Sequence, residues 1–369
     1  MYFVISAGGT AGHINPAIAV ADELREQGHD ILFAGTPDHR EAQIATQAGF
    51  EFVGFSVSGF DKAHPLSLVS SGVKILRATG QAKRLFGERR PDAVATFGAY
   101  VSVPVGRAAA AMSIPLIVHE QNSVPGMANV YLAPRADVTA LAYESCAQHL
   151  DPKTPAIVTG NPVRRSFEQA SRTRGRKRLG IPDYAPVLLV LGGSLGAQHV
   201  NSAICALKKR LLGVEDAHVV LSTGPADYER VLSELSLTQR QQARFHVFPY
   251  IEDMGDVLAA CDVVVSRAGA SSLAEITALG VPAILVPYPY ARADHQTHNA
   301  RACVDAGAAV LVADADVESA AFGKLVVELL GDPKRRATMS AASRELSGAD
   351  ARGHVAELIV SAAQAGQRG

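Results

Sequence analysis

The chain has little net charge, few cysteines and no long apolar run, and each shortage narrows what it can do. Its 35 Lys and Arg nearly balance 36 Asp and Glu, for a formal net charge of -1 over 369 residues. A general nucleic-acid binder shows a basic excess, so no nucleic-acid partner is expected. Cys146, Cys205, Cys261 and Cys303 stand far apart and form no C-x-x-C pair. They read as reduced core thiols of a cytosolic protein, not as a disulfide framework. The nearest approach to a membrane span, Val101 to Val118, is broken by Pro104, Arg107 and Pro115. No segment is therefore expected to cross a bilayer, although the chain can still lie on one. The N-terminus lacks a basic n-region and enters an apolar run at once, which argues against a secretory leader. Hydrophobic residues make up 48% and charged residues 19%. That is the balance of a globular chain, long enough for two domains with separate cores.

What is present is a repeated pattern. Tyr2-Phe3-Val4-Ile5 leads into Gly8-Gly9-Thr10-Ala11-Gly12-His13, and Val187-Leu188-Leu189-Val190-Leu191 leads into Gly192-Gly193-Ser194-Leu195-Gly196. Each apolar run reads as a buried parallel strand, and each loop opens a helical pattern, at Ala17 to Leu24 and at Val200 to Leu212. A strand, glycine loop and helix in that order put backbone N–H groups and a helix dipole at the C-terminal edge of a sheet, where phosphate binds well. Further strands are expected at Asp30-Ala34, Glu51-Phe55, Ala93-Thr96, Pro115-His119 and Asp137-Leu141 in the first half. In the second half they are expected at Ala217-Ser222, Phe245-Val247, Val263-Val265, Ala283-Val286 and Ala309-Val312. Strands alternating with helices imply an α/β fold with parallel sheets covered on both faces. The arginine-rich segment between Asn161 and Pro186 marks the domain boundary. The tail from Asp332 to Ala363 is helical in pattern.

A third motif, Ser266-Arg267-Ala268-Gly269-Ala270-Ser271-Ser272-Leu273-Ala274-Glu275, follows the strand Val263-Val265. Its small residues allow a ligand close to the backbone, and Ser271 or Ser272 is expected to cap the next helix. Glu275, about one turn in, can accept two hydrogen bonds from a ribose diol; the plainer reading is a solvated glutamate. Pro287-Tyr288-Pro289 and the run Asp294 to Asn299 come one unit later and share that sheet edge.

The ordered set GGTAGHINPAIAVADEL, HEQNSVPGMANVYL, GNPVR, GGSLGAQHVN, PYIEDM and SRAGASSLAEITALGVPAILVPYPYARADHQTHNA resembles the MurG family from Phe3 to about Val360. These are peptidoglycan N-acetylglucosaminyltransferases that make lipid II from lipid I. The resemblance implies the GT-B fold, with two Rossmann-like domains and an interdomain cleft. Residues 1–163 would form the acceptor and membrane-facing domain, and 164–344 the UDP-N-acetylglucosamine domain. A helix at about 345–366 would pack back on the first. The donor is UDP-N-acetylglucosamine. The acceptor is an undecaprenyl-diphosphate-linked N-acetylmuramoyl pentapeptide, attacked through its C4 hydroxyl with inversion at the anomeric carbon. Such a reaction needs one base and a stabilised leaving group, and the resemblance implies neither a cofactor nor a metal.

Carried over by position, Ser194 and its loop face the diphosphate, Arg164 lies beside it, and Ile251 reads the uracil edge through its backbone. Ala270, Ser271, Ser272, Leu273, Ala274 and Glu275 wrap the nucleoside. Gln296 meets the donor sugar, while Thr10, Ala11, Gly12 and Asn122 reach it from the first domain. Ala11 stands where a third glycine often sits, and His295 replaces a different polar residue of some relatives. His13, at a helix start, and Glu120 are the candidate catalytic residues. His295 and His298 suggest metal ligands only faintly, because no further ligand set accompanies them.

Leu68 to Arg90 mixes apolar residues with Lys74, Arg77, Lys83, Arg84, Arg89 and Arg90. It reads as a core helix with a basic face, or as a patch on anionic lipid beside a polyprenyl substrate. Gly72, Gly80 and Gly87 weaken the case for one continuous helix there. The implied location is the cytoplasmic side of the cell membrane, peripherally bound, with cell-wall synthesis proteins among the partners. Competing readings keep the fold and change the acceptor to another lipid or small molecule, or make the chain epimerase-like or a catalytically dead nucleotide-binding module.

Overall fold

The computed structural model of the chain describes residues 1–37, 40–57, 65–192, 197–347 and 350–367. The chain divides into two compact units, Met1–Arg164 with Ala349–Gly369, and Arg165–Gly348. The first is built on seven parallel strands: β1 Tyr2–Ser6, β2 Asp30–Gly35, β3 Glu51–Gly54, β4 Ala93–Thr96, β5 Leu116–Glu120, β6 Val138–Leu141 and β7 Ala156–Val158. Their order in the sheet is β3-β2-β1-β4-β5-β6-β7. All of β1 is buried because alternate side chains enter opposite cores. Phe3 and Ile5 pack with Ile14, Val20 and Leu24, and with Val355 and Ile359 near the C-terminus. Tyr2 and Val4 pack with Ala78, Phe86, Val105 and Ala109. The helices Ala11–Glu26 and Ala351–Gly366 thus cover one face, and Pro65–Glu88 and Ser102–Ala111 the other.

The second unit repeats the plan with β8 Val187–Leu191, β9 His218–Ser222, β10 Phe245–Phe248, β11 Val263–Ser266, β12 Ala283–Leu285 and β13 Ala309–Leu311. Its order is β10-β9-β8-β11-β12-β13, again all parallel. In each unit the order reverses beside the strand that precedes a glycine loop, at β1/β4 and at β8/β11, which is where such sheets open a crevice for ligand. The arginine-rich segment is firmly folded into this unit. Arg176, only 1% exposed, donates through Nε to Ala260 O at 3.2 Å and pairs with Asp262 at 2.9 Å. Arg172 pairs with the same carboxylate, and Arg174 pairs with Asp256.

Three expectations are corrected. The region 65–88 is one unbroken helix, and a Cβ added at Gly72, Gly80 or Gly87 would meet nothing within 4 Å, so none of the three is a packing position. Residues 73, 76, 77, 80, 83, 84 and 87 share a face at the spacing of a helix turn, and Ala78, Ala82 and Phe86 line the buried one. Phe86 is therefore core. The short edge strand β7 follows Pro155 and is exposed throughout, so it carries no burial signal to read. Neither Ser271 nor Ser272 caps the helix Ala270–Ala278; Gly269 is its N-cap and both serines lie in the first turn. All four cysteines are free and buried, and burial pushes the Cys146 and Cys205 thiols up to about 12.

Each unit also holds a buried imidazole. Desolvation pushes both His119 in the first and His218 in the second down to about 4. His218 stacks on His246, with Nδ1 3.3 Å from Nε2. Unfolded, each ring protonates near its ordinary value of 6.5. Between those two values the unfolded chain binds protons that the native chain refuses, so stability is full above the window and falls as the pH falls through it. We expect His119 alone to remove about 3 kcal/mol by pH 4. Urea midpoints measured at pH 7, 5.5 and 4.5 should decline steadily, with a shallower decline in His119→Gln. Parallel declines in the two proteins would remove His119 as the cause.

Candidate functional site

The site residues fall into two groups, one at the C-terminal edge of each sheet. In the first unit, β1 ends in Gly8 and Gly9, and Thr10 is the N-cap of the helix Ala11–Glu26. Ala11, Gly12 and His13 are already its first turn, so the helix begins six residues earlier than its apolar pattern shows. A Cβ on Gly8 would stand 2.8 Å from Glu41 Oε1 and 3.0 Å from Val101 Cγ1, so only glycine lets the loop sit this low. Thr10 Oγ1 lies 3.3 Å from His13 Nδ1. The His13 ring rests on the Cα of Gly98, just past β4. A Cβ there would come within 2.8 Å of His13 Cδ2 and 3.1 Å of Nε2, and Gly98 has φ +90.

The end of β5 supplies a hydrogen-bonded cluster. Glu120 is 1% exposed. Its Oε1 accepts from the Asn122 backbone N at 2.9 Å and Nδ2 at 3.1 Å, and its Oε2 accepts from Gly126 N at 2.9 Å and Asn129 Nδ2 at 2.8 Å. The same Asn129 amide donates to His119 O at 3.0 Å and lies 3.6 Å from the Gly98 Cβ position, beside His13. His119 sits between the Gly160 carbonyl, 3.2 Å from Nε2, and the Gln121 amide, 3.0 Å from Nδ1. With the ring kept neutral by burial, that arrangement puts the proton on Nε2. The structure thus gathers Thr10, Gly12, His13, Glu120 and Asn122 around Gly98 and Asn129. Neither Gly98 nor Asn129 stood out in the sequence. Gly98 was findable as a glycine two residues after a strand.

In the second unit, Ser194 and its loop lie outside the described residues. Ala270 to Glu275 form the first turns of the helix after β11, as their small side chains allow. Gln296 connects two loops: its Oε1 accepts from Ala268 N at 3.2 Å and from Tyr288 N at 2.9 Å. Its carbonyl is thereby committed, and Nε2 remains as the donor to offer a ligand. Ile251 follows β10 at the same edge and is buried. Arg164 is half-buried and is the last residue of the first unit before the chain passes to the second. His295 Nδ1 lies 2.8 Å from the Arg292 carbonyl, one turn before it.

A buried ion pair went unread in the sequence. Arg267 Nη1 lies 2.5 Å from Asp314, and both are nearly buried. Arg267 also donates to the carbonyls of Val286 and Pro287 at 3.2 and 3.1 Å, and Asp314 meets His199 Nδ1 at 2.9 Å. One carboxylate just past β13 therefore ties the start of the helix Gln198–Ala206 to the loops after β11 and β12. Its only sequence signal was its place at the end of a strand.

Comparison with known proteins accords with this layout. Residues 3–141 match the Glycosyltransferase family 28 N-terminal domain, and 187–355 match the Glycosyltransferase family 28 C-terminal domain. A Halothermothrix orenii protein named UDP-N-acetylglucosamine--N-acetylmuramyl-(pentapeptide) pyrophosphoryl-undecaprenol N-acetylglucosamine transferase is 38% identical over 97% of this chain and 98% of its own. A protein of the same name from Acetivibrio thermocellus is 35% identical over 97% of each. The crystal structure of Acinetobacter baumannii MurG superposes with a TM-score of 0.75 at 28% identity, covering 98% of this chain and 99% of that one. The glycosyltransferase of kitacinnamycin, 20% identical with a TM-score of 0.72 over 98% of each chain, shares the fold.

The contact between His13 and Gly98 can be isolated. Gly98→Ala and Gly28→Ala both force alanine into a left-handed backbone, at φ +90 and +82, but a Cβ on Gly28 meets nothing within 4 Å. Both should lose on the order of 1 kcal/mol from the backbone. Gly98→Ala should lose more and should shift the His13 ring resonances in an NMR spectrum. Equal losses and an unmoved His13 signal would show that the ring does not rest on Gly98.

Proposed function

The chain belongs to the MurG family, and on that premise we propose that it moves N-acetylglucosamine from UDP-N-acetylglucosamine to the C4 hydroxyl of the N-acetylmuramoyl group of lipid I, with inversion. It is a UDP-N-acetylglucosamine-dependent hexosyltransferase of peptidoglycan synthesis. The observation that carries the reading is the 38% identity to a curated transferase along 97% of the chain, through both glycine loops.

In this reading the first unit takes the acceptor and the second the donor. His13 is the general base. With its Nδ1 proton donated to Thr10 Oγ1, Nε2 takes the proton of the C4 hydroxyl as that oxygen attacks the anomeric carbon. The bond from that carbon to the UDP oxygen breaks on the opposite face. The departing diphosphate is met by the loop after β8, with Ser194, and by Arg164. Glu120 has its lone pairs occupied by four donors, which favours His13 as the base. Glu120 then fixes Asn122, Gly126 and Asn129 around the acceptor. Ile251 binds the uracil edge, Ala270 to Ala274 the nucleoside, Glu275 the ribose and Gln296 the sugar. Thr10, Ala11, Gly12 and Asn122 approach the donor from the acceptor side.

Incubating the protein with UDP-N-acetylglucosamine and a short-chain lipid I analogue should give a β-1,4-linked disaccharide. Glu275→Ala should weaken donor binding by about 2–4 kcal/mol as two charge-assisted hydrogen bonds go. His13→Ala should keep UDP affinity and lose about 10²–10⁴-fold in kcat. No disaccharide from the wild type, or near-normal turnover by His13→Ala, would count against the transfer and the base respectively.

The acceptor's diphosphate lies at head-group level, so the first unit approaches an anionic membrane from the cytoplasmic side. Among the described residues no helix is long and apolar enough to cross one. The exposed face of Pro65–Glu88 carries Arg77, Lys83 and Arg84, with Val73 at 54% and Leu76 at 60% exposure, and the exposed Lys74 lies at its margin. Arg89 pairs with Asp30, and Arg90 donates to the carbonyls of Met112 and Ser113. Each cation gains about 1 kcal/mol near an anionic surface, screened by salt. Replacing Lys74, Arg77, Lys83 and Arg84 with Gln should cut co-sedimentation with phosphatidylglycerol vesicles and leave turnover of a soluble acceptor analogue nearly unchanged. Vesicle binding equal to wild type would put the membrane contact elsewhere.

A further inference from the structure

The edge of the second sheet opposite Glu275 and Gln296 carries a depression of about 440 Å³. Asp262, immediately before β11, and Pro282, immediately before β12, mark it as the N-terminal edge. Arg172, Arg336 and Arg344 line it, and Asp262 is its one carboxylate. That carboxylate is already paired twice, with Arg172 at 2.7 Å and with the buried Arg176 at 2.9 Å. Three arginines thus line the depression with a single carboxylate, which the buried Arg176 also neutralises, in a chain whose formal net charge is -1.

Two of the lining guanidinium groups are held in place. Arg172 Nη1 donates to the Ala260 and Cys261 carbonyls at 3.2 and 3.1 Å, at the end of the helix Met254–Ala260. Arg336 Nη1 donates to the Leu329 carbonyl at 3.1 Å and to that of Leu330, at the end of the helix Ala320–Gly331. Helix C-termini fix these cations, so little side-chain freedom is left to lose on binding. Arg344 differs: among the described residues its side chain has no hydrogen-bond or ion-pair partner. Its stem lies across Gly280, where a Cβ would stand 2.5 Å from Arg344 Cγ and 2.6 Å from Nε. The missing side chain is what admits the arginine. Leu279 and Pro282 add an apolar wall.

We propose that this depression binds a soluble phosphate ester, with the phosphoryl group on the Arg344 guanidinium, Arg336 and Arg172 adding positive charge, and the organic part against Leu279 and Pro282. A planar fork matches phosphoryl oxygens two at a time, and the Arg344 fork, with the Arg336 and Arg172 charges lining the same depression, suits a dianion better than a singly charged carboxylate. The volume lies within the range of small-ligand sites. The site is at the edge away from the proposed donor residues, so it stands independently of the catalytic reading.

Calorimetry of the full chain with inorganic pyrophosphate tests it, with saturating UDP present to occupy the donor edge. Wild type should bind pyrophosphate. Arg344→Gln should bind it at least tenfold more weakly with an unchanged thermal midpoint, because Arg344 has no partner to lose. Arg336→Gln/Arg344→Gln should not bind it measurably. The difference between proteins is read, so it holds even if UDP does not bind. Equal affinity in wild type and variants, or no binding by wild type, would overturn the site. Loss of phosphatidylglycerol vesicle binding in Arg344→Gln without loss of pyrophosphate binding would overturn the soluble ligand in favour of a lipid phosphate.

Discussion

Every strand in both sheets runs parallel to its neighbours, and most of the remaining architecture is forced by that constraint. Parallel neighbours cannot be joined by tight hairpins, so each connection crosses a face as a helix and both faces become core. All the loops that leave strands then gather along one edge. There the backbone is irregular, helix N-termini point outward, and polar side chains have room. Thr10, Gly98, Glu120 and Asp314 all sit just past or at the end of a strand for this reason, and Gln296 opens the helix that follows the loop after β12.

The two edges solve the problem of holding loops differently. In the first unit a single buried carboxylate, Glu120, gathers four N–H donors from three residues. Removing it would strand those donors in a buried setting, a cost well above the net worth of the bonds. In the second unit loops are joined pairwise, by the amide of Gln296 and by the ion pair of Arg267 with Asp314. A buried pair of that kind owes its value to geometry and specificity more than to net stability. A ligand that needs several loops in fixed register gains from both devices, since little of its binding energy goes into ordering them.

The strands were legible because parallel strands buried on both faces read as uninterrupted apolar runs, as Val187 to Leu191 does. The helix over residues 65–88 was misread because glycine propensity is a local quantity. What decided the outcome was the row Ala78, Ala82 and Phe86 facing a sheet, which outweighs three glycines on the solvent side. The edge strand β7 had no burial to betray it. Within the sites, residues set in recognisable strings, such as His13 and Glu275, could be found by position. Asp314 could not, because it lies in none of those strings and acts through partners far along the chain: it reaches 115 residues back to His199.

The first unit is closed by its own most distant part. The helix Ala351–Gly366, which supplies Val355 and Ile359 to the core under β1, is encoded after the entire second unit. During synthesis at about 5–20 residues per second, the amino-terminal sheet waits on the order of ten seconds or more with part of one face uncovered while the second unit emerges from the ribosome. The second unit, contiguous from Arg165 to Gly348, needs no such delay. The order of maturation therefore runs against the order of translation, and the nascent chain carries an open apolar surface for chaperones until that helix emerges.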